Sequence, residues 1–464
     1  MMPDKHGAGF CYARRMVTTL VATLVTTALR RYYRLASLCL LLALPTTELW
    51  AAHPNNSIAP RPPPPTEYGL HLHRADDKRY VENREISLMD IRPIDVSAQQ
   101  RALEGLDSFS PAAIPPLREM GEAYRSAGRY ASALEHFQHV AHLQRLNSGL
   151  NSPSQMPVMD EIFEAQVALG RLDLADGTRE YLLRVQQRND LDPEDRFRAL
   201  KRYSDWKRQL YLAGEGYETY AYLMAMYYSH NSELDRLESI DRNHPAQVEH
   251  LYERLRLEYL ISRYDGEKKP PIQMYSSGGL GGDYTLHTDL AAEEFRVLRK
   301  HNYRNGRLTA ERIVKILETQ PQADVRVLAR ARIAEGDWHM WSDQKARALD
   351  AYRKAYRLYA NDGDDTTDPE ELFAQPVELP ADDVFYSDGV VALSERPAVA
   401  TARFEVSRMG KPREVNIESL EPIGSRGARS ALYRMLKRMR FRPALRGGDA
   451  VDQEDVVRKY QFDF

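Results

Sequence analysis

Cysteine is almost missing from this chain. Only Cys11 and Cys39 occur in 464 residues, and both fall inside a segment that reads as a targeting sequence. A mature chain without that segment has no thiol. Disulfides, a cysteine zinc site and a cysteine nucleophile are thereby excluded, and stability must come from packing alone. Charge of one sign is also lacking. The formal net charge is -3, which gives no global reason to attract nucleic acid. Long apolar runs are missing too, and 28% charged residues argue against a membrane-embedded protein. No Gly-x-Ser-x-Gly elbow and no His-Glu-x-x-His pair occurs, and no two carboxylates stand out as an acid/base couple. What is present is enough apolar material for a packed core, 43%. The 27 tyrosines against 12 phenylalanines point to helix packing with wet edges, since a Tyr hydroxyl wants a partner or water. Length alone suggests about three domains.

The front end carries the targeting pattern. Arg30-Arg31-Tyr32-Tyr33-Arg34 precedes an apolar run from Leu35 to Leu44, then Pro45 and the small pair Ala51-Ala52. A positive flank, a short apolar core and a small-residue exit predict a secretory signal over residues 1–52. A membrane span needs about 20 apolar residues, twice this core. A short uncleaved anchor is the other reading. A second run, Val17–Leu29, lies upstream of the arginines, and Met16 is an alternative initiator. Leu38 before Cys39 does not fit a lipoprotein. Residues 53–108 then read as a proline-rich, extended segment. Pro62-Pro63-Pro64-Pro65 is a stiff polyproline spacer, and residues 66–108 are charged and weakly patterned.

Residues 109–360 have helical rhythm. Ser110-Pro111 is a cap followed by a first-turn proline. Leu117, Met120-Gly121, Tyr124, Gly128, Tyr130, Ala133, Phe137 and Val140 follow, and this spacing is similar to the tetratricopeptide repeat of about 34 residues. Gly121 and Ala133 let two helices approach; Tyr124 and Phe137 fill the space between them. Later units are degenerate: Ile162 with Leu169-Gly170 and Ala175, Asp192-Pro193 through Trp206 and Leu212, then Tyr217 to Tyr227, and Val248 to Tyr259. The last pair carries Gly336, Trp338 and Trp341, then Ala348, Tyr352 and Ala355. One such unit cannot bury its own face, so the pattern predicts a stacked α-solenoid with a concave surface for peptides or helices. Ser276-Ser277-Gly278-Gly279-Leu280-Gly281-Gly282 interrupts the array as a loop. It lacks the Lys-Ser or Lys-Thr pair of a phosphate cradle.

Residues 361–397 read as an acidic, proline-bearing linker. Asp362, Asp364, Asp365, Asp368, Glu370 and Glu371 would be solvated, and Pro369, Pro376 and Pro380 would keep it extended. A calcium loop starting at Asp362 would need a glycine where Thr367 stands.

Residues 398–464 change character. Val399–Val406 and Val415–Leu420 flank the turn Met409-Gly410-Lys411-Pro412, a hairpin signal. Ala428, Ala431, Leu432, Met435, Leu436 and Met439 share one helix face. In the tail Val456, Tyr460, Phe462 and Phe464 alternate with Val457, Lys459, Gln461 and Asp463, as in a half-buried strand. This order resembles the C-terminal domain of TonB-family proteins. The resemblance rests on Ala402-Arg403-Phe404-Glu405-Val406, on Gly410 with Val415 and Ile417, and on Met439-Arg440-Phe441-Arg442-Pro443-Ala444-Leu445. It covers about a seventh of the chain. It implies a periplasmic α+β module that takes a transporter's peptide onto its sheet edge. By that analogy Arg458, Tyr460 and Phe462 would lie near the edge, with Phe441 and Pro443 fixing the strand's approach.

Two further clusters are weighed here. His136, His139 and His142 recur every third residue, but the first and third point about 120° apart on a helix, which suits a hydrated face better than a metal. His71 and His73 lack an acidic companion and read as surface residues. Arg426, Arg429, Arg434, Lys437, Arg438, Arg440, Arg442 and Arg446 make the last helix and its sequel strongly basic. A phospholipid or cell-wall surface, an acidic partner protein and plain solubility compete, and solubility with some steering of partners is favoured.

The expectation is therefore a mainly α protein: a tetratricopeptide-like α-solenoid followed by a small α+β TonB-like domain. It would act as a periplasmic, non-catalytic adaptor without cofactor or metal. Its partners would be envelope proteins, an outer-membrane transporter among the candidates, with no nucleic acid and no small-molecule substrate. The alternatives are an energy transducer for outer-membrane transport and an accessory scaffold of an envelope enzyme. A transducer keeps a membrane helix with polar residues for its motor, and here the apolar run is short and has no histidine.

Overall fold

In the computed structural model the chain is mainly helical with a small C-terminal sheet region. The structure describes residues 71–73, 94–189, 191–214, 219–264, 286–320, 324–361, 368–382, 384–387, 398–421 and 426–463. These residues belong to one compact unit, Pro60–Phe464. The targeting segment, the polyproline run, the glycine loop and the acidic residues 362–367 lie outside them. No helix of the described residues is long and apolar enough to cross a membrane.

A short helix, α1 (Ser97–Leu103), leads into the helical row. The row comprises α2 (Ile114–Ser126), α3 (Tyr130–Ser148), α4 (Met156–Ala168), α5 (Leu172–Arg188), α6 (Pro193–Ala213), α7 (Tyr220–Ile240), α8 (Gln247–Ser262), α9 (Leu286–Lys300), α10 (Asn302–Thr319), α11 (Val325–Trp341) and α12 (Lys345–Ala360). Helices pack mainly on their neighbours in this order, except that α8 meets α10 directly. Starts are set by caps. Ser110 accepts from the Ala112 amide ahead of α2, Ser152 from Ser154 ahead of α4, and Asp192 from Asp195 at α6. Each of these is followed by a proline in the first turn.

One turn recurs three times. Gly128, Gly170 and Asp343 all sit at positive φ, near 73°, 68° and 61°. Directly after each, an amide bonds back to a carbonyl of the helix just ended: Arg129 to Tyr124 and Arg171 to Gln166 at 2.9 Å, and Gln344 to His339 at 2.8 Å. The same backbone device thus joins α2 to α3, α4 to α5 and α11 to α12. Close approach recurs as well. A Cβ built on Gly121 would lie 2.5 Å from the Phe137 ring, and one on Gly336 would run into Tyr352. The expected helix-pair contacts at both ends of the row are present.

At the C-terminus, β4 (Ala398–Val406) and β5 (Pro412–Glu421) form the expected hairpin, closed by the Ser407 amide on the Lys411 carbonyl at 3.0 Å. Helix α14 (Arg426–Arg438) comes after the four-residue helix α13 (Pro369–Leu372). It lays Ala428, Leu432, Met435 and Leu436 on the sheet, with Met439 just beyond its end. Short strands β6 (Phe441–Arg442), β7 (Ala444–Arg446) and β8 (Asp449–Val451) follow, then β9 (Gln453–Asp463). Alternation along β9 is as expected: Val456, Tyr460 and Phe462 are buried and Val457 and Lys459 exposed.

Two expectations are corrected. The closing strand is not the outermost strand of its sheet, since its last three residues are covered by another strand. The five-stranded sheet runs β3-β1-β9-β4-β5, where β1 is His71–His73 and β3 is Tyr386–Ser387. β9 therefore pairs with β4 along its length and with β1 at Gln461–Asp463. A segment that precedes the helical row thus completes the C-terminal sheet, which local patterning has no means of showing. The second correction concerns residues 368–387, which are not a solvated linker. Phe373, Leu379 and Val384 are buried, the last two flanking a segment laid against the row, and β2 (Val377–Glu378) pairs with β6. Three isolated apolar residues at irregular spacing carry no period, so composition hid them.

Candidate functional site

The joint between the sheet module and the last helix pair holds a buried, bidentate ion pair. Arg442 lies on β6 between Phe441 and Pro443. Its guanidinium donates from Nε to Asp337 Oδ1 at 2.9 Å and from Nη2 to Oδ2 at 2.7 Å. Asp337 is on α11, and the Tyr352 hydroxyl from α12 donates to the same Oδ1 at 2.9 Å. The two charged side chains are 10% and 8% exposed. Burial alone would disfavour the charged guanidinium, but the adjacent Asp337 carboxylate outweighs it, and the Arg442 pKa moves up. Burial, then the Asp337 charge, pushes the Tyr352 hydroxyl well above its ordinary value. So the site is a bidentate, charge-assisted clamp joined by a neutral phenol.

Backbone contacts seat the clamp. The Leu445 amide donates to the Phe373 carbonyl at 2.9 Å, and the Leu379 amide to the Arg440 carbonyl at 2.9 Å. Glu370 accepts from the Gly447 amide at 2.7 Å, and Arg353 of α12 pairs with Asp449 at 3.0 Å. Gly410, at φ 69°, lies so close to the Phe441 carbonyl that no side chain fits there. Residues 440–449 are thus held by this intramolecular joint.

The five residues singled out from sequence are placed as follows. Phe441 is buried with its ring 5.5 Å from Phe404, and Pro443 is buried beside the clamp. Tyr460 and Phe462 are buried between sheet and α14, and the Tyr460 hydroxyl donates to Glu378 at 3.2 Å. Arg458, half-buried, donates to the Pro376 carbonyl at 3.2 Å. Four of the five are core side chains, so a partner would not meet their rings, and β1 covers the β9 edge at Gln461–Asp463. Sequence reading missed Asp337, Tyr352 and the inward role of Arg442. No clear signal was there: in Glu335-Gly336-Asp337-Trp338-His339 nothing sets Asp337 apart from Glu335, which is less buried.

A second buried polar group crosses the middle of the row. Ser204 Oγ of α6 lies 2.9 Å from His230 Nε2 of α7, and His230 Nδ1 lies 3.2 Å from His250 Nδ1 of α8. All three are buried, and His250 Nε2 has no hydrogen-bond partner. Burial lowers both imidazole pKa values, that of His230 strongly and that of His250 to about 4. An orphaned lone pair is cheaper to bury than an orphaned N–H. That favours His250 Nδ1–H donating to His230, and His230 Nε2–H donating to Ser204. Among the described residues no group of three or more His, Cys, Asp or Glu converges on a point that could hold a metal. His136 stacks on Tyr124, with ring centroids 5.3 Å apart.

The solvent side of the sheet module offers two features. β5 is an edge strand, with Asn416, Glu418 and Ser419 exposed and register shifts on either side of its centre. α14 turns Tyr433, Arg434, Lys437 and Arg438 outward.

No family model matches the chain, and no curated protein matches it. Among solved structures it is similar to BtubC (BKLC) from P. vanneervenii, at 12% identity and a TM-score of 0.31. That alignment covers 59% of this chain and 92% of the other. A TM-score of that size carries no argument about fold or function.

Proposed function

We propose that this protein is a non-catalytic adaptor of the bacterial cell envelope, built from a tetratricopeptide-like solenoid and a TonB-like C-terminal module. The observation that carries the reading is the Asp337–Arg442–Tyr352 clamp. It makes the sheet module a rigid continuation of the last helix pair, so partners held by the two parts keep a set geometry. The thrice-repeated turn and the Gly121–Phe137 and Gly336–Tyr352 contacts support the repeat reading. The hairpin–helix–strand order supports the TonB-like one. The binding edge is β5, where an added strand would gain main-chain hydrogen bonds. Its register shifts and charged residues guard against indiscriminate pairing. A force transducer, by contrast, needs a module free to move, and the clamp disfavours that role.

The test is site-specific photocrosslinking of the full chain in native envelopes. Probes at Glu418 and Ser419 of β5 are expected to trap a discrete protein partner, while probes on the opposite side of the sheet module, at Val457 and Lys459, trap none. If neither position on β5 gives an adduct, the edge reading fails. Once its signal is cleaved, an adaptor is released from the membrane fraction by salt washing at the latest, whereas a transducer withstands it.

A further inference from the structure

Helix α14 has an inner face that is fully used. Ala428, Leu432, Met435 and Leu436 are all completely buried against the sheet. Its outer face is different. At 100° per residue Tyr433, Arg434 and Lys437 cluster about the direction opposite the buried stripe, with Arg438 at its flank. Tyr433 is 43% exposed, and the Lys437 ammonium lies 5.7 Å from its ring. The helix contains no carboxylate from Arg426 to Arg438.

Some cations elsewhere are neutralised on their own helix, while others, such as Arg129, Arg184 and Lys315, are exposed and as free of carboxylate partners among the described residues as Arg434. Arg198 pairs with Glu194, Arg307 with Glu311, and Lys354 with Asp350, each within one turn of its own helix. Arg434 has no carboxylate partner among the described residues. Instead it faces Lys437 and Arg438 at i+3 and i+4, a spacing at which like charges repel. The last turn of a helix tolerates cations because of its dipole, which explains Lys437 and Arg438. It does not explain placing Arg434 beside them without a carboxylate partner among the described residues. Residues 398–464 carry more Lys and Arg than Asp and Glu, although the whole chain is at -3. The positive charge is therefore local to this module.

We propose that the outer face of α14 docks on an anionic phospholipid surface. The face is a convex helix side bearing three cations and one amphipathic ring, with no aligned hydrogen-bond acceptors. Such a face suits a diffuse negative plane and gives little purchase to a shaped partner. Exposed tyrosine belongs at the headgroup level, where its ring is half wet. A basic residue near an anionic leaflet contributes on the order of 1 kcal/mol, or about fivefold in partitioning. Docking through α14 leaves the β5 edge free, so this inference is independent of the adaptor reading.

The experiment is cosedimentation of the full chain with vesicles. Phosphatidylglycerol–phosphatidylethanolamine vesicles are compared with pure phosphatidylcholine vesicles, at low and at high salt. The chain should favour the anionic vesicles at low salt and lose that preference near 1 M salt, where the screening length falls to about 3 Å. Arg434→Gln with Lys437→Gln should weaken partitioning to anionic vesicles roughly 30-fold. The charge-keeping pair Arg434→Lys with Lys437→Arg should retain it. All four substitutions are at exposed positions, so the fold is preserved. Equal partitioning to both vesicle types overturns the proposal, since the apolar N-terminal run alone would give that. So does a glutamine variant that binds like the parent. Retention on immobilised polyglutamate without binding to anionic vesicles would assign the face to an acidic protein and also overturn it.

Discussion

Removing Asp337 should loosen the molecule at one place. In Asp337→Ala the Arg442 guanidinium stays where it is, about nine-tenths buried, with neither oxygen to donate to. The Tyr352 hydroxyl loses its acceptor at the same time. Breaking one partner out of a buried ion pair costs about 3–5 kcal/mol, because the desolvated charge remains. The phenol adds a share of the 1–3 kcal/mol typical of an orphaned buried polar group. The expected loss is therefore about 4–6 kcal/mol. The guanidinium can recover part of this by leaving its slot, which would carry β6 and β7 away from Phe373 and α11. The paired replacement Asp337→Leu with Arg442→Met removes both charges and should fall within about 2 kcal/mol of the parent. Urea unfolding gives the stabilities, and limited trypsin cleavage at Arg446–Gly447 reports whether the module has come loose. If Asp337→Ala cost less than 1 kcal/mol, or if the double replacement cost as much as the sum of its parts, the clamp would not be holding the module.

Three other outcomes follow from the same reasoning. Burial depresses the His250 pKa to about 4, so the folded chain resists a proton that the unfolded chain accepts near pH 6.5. Stability is full above pH 6.5 and falls by roughly 3 kcal/mol as pH drops to 4. Glu233 and Arg236 face His250, and Arg254 and Lys201 act on His230. His250→Gln should flatten the acid limb of a thermal-melt series, and an unchanged limb would contradict the assignment. Gly121→Ala should cost about 1–3 kcal/mol through collision with Phe137 and be relieved by Phe137→Leu, as read by chemical denaturation. Phe441→Ala and Phe462→Ala should each cost about 3–5 kcal/mol of stability, measured by urea unfolding. A loss of partner crosslinking without that instability would show that these rings touch the partner after all.

Periodic features were legible from the sequence. The caps at Ser110 and Asp192, the α2–α3 pair, the hairpin, the α14 face and the alternation along β9 are all local. Each depends on residues within one or two turns or along one strand. The site was not legible in this way. Asp337 and Arg442 are 105 residues apart, and their pairing is a property of two surfaces meeting. Resemblance drew attention to Phe441 and Pro443 as partner-binding residues, and the structure places both in the core. The acidic stretch misled for a related reason. Its charges dominate the composition, while Phe373, Leu379 and Val384 dominate its packing.

By itself the chain's order of residues determined where helices start, which faces are apolar, and that the final strand has one wet side. Short-range sterics, capping and hydrophobic period decide those things. Only the tertiary structure decided that His71–His73 joins the last strand, that β5 is an edge strand, and that a buried ion pair joins module to row. Those outcomes come from long-range surface matching, in which the partner of a residue is chosen by shape and desolvation, not by spacing along the chain.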